Sequence, residues 1–191
     1  VPPPRIQVML RYLGLGFRHV VPRGSEQILF ALGIFLLSLS VKPLLAQVTA
    51  FTAASTLACA AAVYGRVALP PRVAAPAIAL SIVYLAVENL RRRELRASRI
   101  ALVFACGLLY GLAFAGALRE LGAPRAVLST AVLGFDLGAL AGQLAVLGAV
   151  FLLVGLPWGD RPWYRDRVVI PASLAMATLG LYWSVERIFL P

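Results

Sequence analysis

Six apolar segments occupy most of the chain beyond residue 25, at about 27–41, 44–64, 73–90, 100–118, 126–156 and 168–190. About 20 apolar residues in a helix cross the hydrocarbon core of a bilayer. None of the segments alternates polar and apolar positions as a barrel strand would, and lipid tolerates only helices or closed barrels. The pattern therefore predicts an all-α integral membrane bundle of about six transmembrane helices. The first segment is short for a crossing, so its helix is expected to start at Ser25. The fifth exceeds what the core requires, so it is tilted, kinked or partly extramembrane. Pro171, near the start of the sixth, suits a first turn.

Residues 1–22 differ. After Val-Pro-Pro-Pro comes IQVMLRYLGLGFRHVV, in which Arg5, Arg11 and Arg18 interrupt the apolar residues. A short, basic, aromatic stretch suits a helix lying in the membrane interface, and Pro22 and Gly24 end it. The expected division is an interfacial N-terminal segment over 1–24 and a six-helix transmembrane domain over 25–191. Val1 stands where an initiator methionine would, which implies that a further stretch precedes it.

Small residues crowd the middle segments: Ala53, Ala54, Ser55 and Ala58, then Gly107, Gly111 and Ala115, then Gly134, Gly138 and Gly142. Gly107–Gly111 and Gly134–Gly138 are small-xxx-small pairs, which bring helix backbones close together. They read as packing surfaces or as a pore lining.

Hydrophobic residues make up 61% of the chain and charged residues only 14%, which agrees with burial in lipid. The formal charge is +10, carried by arginines and by Lys42. Because these residues lie between apolar segments, phospholipid headgroups are the expected partner and nucleic acid is not. For six crossings the basic residues divide nine against nine between the two faces, so the raw count leaves orientation open. The densest run, RRRELRASR, assigns Arg91, Arg92, Arg93, Arg96 and Arg99 to headgroup binding on a cytoplasmic loop. Both termini would then be periplasmic, in a bacterial cytoplasmic (inner) membrane. Cys59 and Cys106 lie inside apolar segments without CxxC spacing, so neither a metal site nor a redox pair is expected.

Polar groups at membrane depth are costly and are candidates for function. Asp136 and Gln143 are seven residues apart, on one helical face. Asp136 reads either as a proton- or cation-binding carboxylate or as a structural acceptor. Glu88 and Asn89 adjoin the arginine run, and Glu88 is expected to pair with one of its members. Glu26 and Gln27 open the first segment, where a carboxylate suits the helix dipole. His19 is the only histidine. Gln47, Thr49, Thr52, Ser55 and Thr56 make the second segment the most polar. No nucleophile–base pair, phosphate loop, haem motif or HExxH occurs, so neither an enzyme nor a cofactor is expected.

Six stretches together resemble the HupE/UreJ family of membrane proteins. They are GFRHVVPRGSEQILFALGIFLLS (16–38), LLAQVTAFTAAST (44–56), IALSIVYLAVENL (78–90), FACGLLYGLAFAG (104–116), GFDLGALAGQLAVL (134–147) and GLYWSVERI (180–188). The resemblance implies a bundle of about six crossings and a role in nickel or cobalt permeation. It also shows departures. An Asp-His pair is replaced by Glu26-Gln27, and histidines are replaced by Ser55 and Tyr110. The family carboxylate falls on Leu140, while an acid appears at Asp136. Imidazole and carboxylate suit Ni²⁺ far better than hydroxyl or amide groups do.

The candidate polar site is thus His19, Glu26, Gln27, Ser55, Tyr110, Asp136 and Gln143. Retained packing glycines with lost ligands point to a non-catalytic accessory subunit bound to other membrane subunits of a respiratory, photosynthetic or hydrogenase-linked complex. The alternative is a nickel, cobalt or other cation permease using the residues that remain.

Overall fold

The structure is a computed structural model that describes residues 4–22, 24–37, 39–67, 69–92, 96–120 and 127–189. The helices are α1 (Arg5–Val20), α2 (Ser25–Leu37), α3 (Val41–Val63), α4 (Pro71–Arg91), α5 (Ala97–Glu120), α6 (Leu128–Val150), the short α7 (Leu156–Trp158) and α8 (Ile170–Phe189). No strand occurs among the described residues. Five helical runs are long and apolar enough to cross a membrane: Val41–Val63, Pro71–Arg91, Ala97–Arg119, Leu128–Trp158 and Arg165–Phe189. The helices α1 and α2, which meet at 74°, pass the same test together as a bent pair, which makes five or six such spans among the described residues. The molecule is an integral membrane helical bundle.

The long fifth segment continues from α6 through a π-helical turn at Phe151–Gly155 into α7. A second π-helical turn, Arg165–Val169, leads into α8. Such turns break the regular ladder and let a long helix bend. Between them, the Trp158 and Trp163 rings meet at a tilt with centroids 6.4 Å apart, and Arg167 of the second turn lies over the Trp163 ring, an aromatic belt of the kind found at membrane interfaces.

Three helix pairs carry most of the packing: α3 with α5, α1 with α6, and α4 with α8. Glycine makes the first two possible. A Cβ on Gly111 would lie 2.2 Å from the Ser55 carbonyl oxygen, and one on Gly107 2.5 Å from that of Phe51. A Cβ on Gly138 would lie 2.0 Å from the Leu13 carbonyl oxygen, and one on Gly16 2.0 Å from that of Phe135. The small-residue pairs are therefore packing surfaces.

The N-terminal segment, expected to lie along the interface, packs lengthwise on the glycine face of α6, with Val8, Tyr12, Gly16 and Val20 buried. Its contacts rise together along both chains, Met9 at Gly134 and Leu13 at Gly138, so α1 and α6 run parallel. The three arginines face away from that seam and none of them is buried.

Helix ends explain several of the other arginines. The last carbonyls of a helix lack intrahelical donors. Arg165 donates to the carbonyls of Asn89, Leu90 and Arg92 at the end of α4, at 2.9–3.3 Å. Arg119 donates to the Ala62 carbonyl in the last turn of α3.

Candidate functional site

The break between α1 and α2 opens a cavity of about 360 Å³. His19 reaches it from the last turn of α1, and Gly24, Ser25, Glu26 and Gln27 line it from the break and the start of α2. Ile78 of α4 and Tyr110, Ala113 and Phe114 of α5 complete the wall. The chain folds back sharply here, and a Cβ on Gly24 would meet the His19 carbonyl oxygen at 2.5 Å. Only glycine permits this approach, so the position of His19 against the first turn of α2 depends on it.

The ring of His19 lies 5.3 Å from those of Phe114 and Phe135. Gln27 is buried, and the Tyr110 hydroxyl is buried with no hydrogen-bond partner among the described residues. Glu26 forms an ion pair with Arg187 near the C-terminal end of α8. Arg187 also donates to the Ala75 carbonyl at 2.9 Å and lies over the Trp183 ring. The sequence pattern gave no reason to join Glu26 to Arg187, because the two stand near opposite ends of the chain.

Four of the seven candidate residues, His19, Glu26, Gln27 and Tyr110, thus meet in one cavity. The other three stand elsewhere. Ser55 donates to the Thr52 carbonyl at 3.0 Å, and its backbone packs against Gly111. Asp136 and Gln143 lie on one face of α6, both buried. Thr56 lies beside Asp136, but its hydroxyl donates to the Thr52 carbonyl at 2.9 Å. Neither Asp136 oxygen has a hydrogen-bond partner among the described residues, nor does the Gln143 amide nitrogen.

The arginine run divides in the same way. Arg91 and Arg96 are exposed and Arg92 is half-buried, while Arg93 lies outside the described residues. Arg99 departs from the headgroup expectation, because it is 0% exposed. Its guanidinium donates to Gln47 Oε1 at 3.0 Å, to Glu88 Oε2 at 3.0 Å and to the Gly33 carbonyl at 2.8 Å. Arg99 is the third residue of α5, in its first turn, and points into the bundle, where a long cation needs a full set of acceptors. Asn89 donates to the same Gly33 carbonyl at 3.0 Å. Gln47 and the Glu88-Asn89 pair were the available signals for this cluster, since each puts an uncompensated polar group on an apolar helix.

A metal ion needs several convergent donors. Among the described residues, no three His, Cys, Asp or Glu side chains come together. The cavity instead offers one imidazole, one ion-paired carboxylate, one amide and one phenol.

A family model described as HupE / UreJ protein matches residues 3–187, nearly the whole chain. No curated protein and no solved structure matches it.

Proposed function

Because the chain belongs to the HupE/UreJ family, we propose that it handles a divalent transition-metal cation, nickel or cobalt, and that the cation enters the cavity at the α1–α2 break. The observation that carries this reading is convergence. His19 and the Glu26-Gln27 pair flank the break and Tyr110 comes from the distant α5, and all four residues line one cavity. Broken helices at membrane depth characteristically line solute sites, because their freed backbone groups need polar company. His19 supplies the imidazole, a good ligand for nickel. Glu26 supplies a carboxylate once it exchanges Arg187 for the cation, and Gln27 and Tyr110 add neutral oxygens. Water would complete the shell. Such a set binds loosely, which suits passage better than storage. The arginine-rich 91–99 loop would be cytoplasmic and both termini periplasmic, in a bacterial inner membrane.

Uptake of Ni²⁺ or Co²⁺ into proteoliposomes tests the reading. The expected outcome is uptake that falls about tenfold or more in His19→Ala, as is usual when a metal site loses a supporting group. Uptake that is absent in the wild type, or unchanged in the variant, would reject it.

Two observations favour a second reading. Glu26 is engaged by Arg187, and the cavity has only one imidazole. Both features suit a retained scaffold that serves as an accessory subunit of a larger membrane complex. A stoichiometric partner in native membranes, together with no metal uptake, supports that reading.

A further inference from the structure

Buried side chains follow the cavity along the same helices. The face of α2 that carries Glu26 continues, at helical spacing, through Phe30 to Gly33. On α5 the matching face runs back from Tyr110 through Cys106 and Val103 to Arg99, and on α3 Phe51 stands one turn from Gln47. Three layers follow one another along these helices. The first is the cavity. The second is aromatic, with Phe30, Phe51 and Tyr110 in mutual contact at centroid distances of 5.1–5.4 Å. The third is the Arg99 cluster.

That third layer has an unusual composition. The Gly33 carbonyl, Gln47 Oε1 and Glu88 Oε2 come from three different helices and surround one guanidinium at 2.8–3.0 Å. A carboxylate, an amide oxygen and a backbone carbonyl are the donors that hold a hard cation. Here the cation they hold is tethered to α5. The half-buried Arg92 lies 3.6 Å from the other Glu88 oxygen, so the cluster reaches from the interior towards the surface.

We propose that these layers form a closed route through the bundle, in which Arg99 is a tethered cation plugging the end opposite the cavity and the Phe30–Phe51–Tyr110 layer is the barrier between. When Arg99 swings out towards Arg92, the three oxygens are released to the passing ion, and its binding compensates for the pairing that is lost. The proposal rests on the cavity being a solute site.

A native thiol sits where the route can be probed. Cys106 is a free, buried cysteine between the aromatic and Arg99 layers, in one apolar cluster with Phe30, Phe51, Val103 and Tyr110. In a Cys59→Ala background it is the only cysteine left. Oriented proteoliposomes are treated with a charged methanethiosulfonate reagent from one side or the other, with no metal present. Labelling of the parent is expected to be slow from both sides. Glu88→Gln should speed labelling about tenfold or more from the Arg99 side alone, and Phe30→Ala likewise from the cavity side alone, because the reaction follows access to the thiol. Gln47→Leu provides a second opening of the Arg99 layer should Glu88→Gln not fold, as judged by thermal unfolding. Unchanged rates in folded variants, or equal acceleration from both sides, would overturn the route. The readout does not depend on metal uptake. One-sided labelling without Ni²⁺ or Co²⁺ uptake upholds the route and rejects the metal reading, and uptake without one-sided labelling does the reverse.

Discussion

The two polar ends of the α2 face are built on opposite terms. At the Arg99 end, Arg99 is fully buried and hydrogen-bonded to three acceptors on three helices. At the α1–α2 break there is space, a phenol with no hydrogen-bond partner among the described residues and an imidazole packed against the Phe114 and Phe135 rings. A buried cation ringed by acceptors holds a bundle in one arrangement, although the adjoining Asn89 Oδ1 has no partner among the described residues, whereas an unpartnered phenol beside a cavity is poised for a ligand. The same residue types therefore carry different meanings at the two ends.

Arg99→Ala should have the largest effect on stability. It leaves Glu88 buried without its inner cation, a loss of about 3–5 kcal/mol, readable as a lowered unfolding midpoint in detergent. A loss below about 1 kcal/mol would mean that the cluster is not the fixed end of the comparison. Gly138→Leu comes next, since a side chain there meets the Leu13 backbone. Overpacking of this kind costs about 1–3 kcal/mol, and the same unfolding assay would detect α1 lifting from α6. Glu26→Gln should cost less than about 1 kcal/mol, because its ion pair is partly exposed. It should nevertheless weaken Ni²⁺ binding several-fold, which separates the cavity end from the structural end. Asp136→Asn should change least. It stands outside the cavity, so Ni²⁺ uptake should remain within about twofold of wild type, less than 1 kcal/mol of difference. A large loss would move the solute site from the break to the α3–α6 face.

The crossings were legible because hydropathy alone reports what lipid accepts. The close helix contacts were legible in part, since Gly107, Gly111, Gly134 and Gly138 announced them. Their partners were not, because a glycine stripe marks a seam without saying which helix fills it. Thus α1, with three arginines in 16 residues, read as a surface helix although its apolar side fits α6. The fate of Arg99 was hidden for a related reason. Five arginines in one run look alike in sequence, and only the helical phase set by the start of α5 at Ala97 turns one of them inwards. The sequence marked polar residues at membrane depth but not their division among the cavity, α3 and α6. That division depends on the 74° bend, which brings His19 back beside Glu26 and Gln27.

The most direct test is calorimetric titration of Ni²⁺ into the purified protein, comparing wild type with His19→Ala and Asp136→Asn. The account predicts binding by wild type and by Asp136→Asn, and its loss in His19→Ala. Equal binding by wild type and His19→Ala would contradict it.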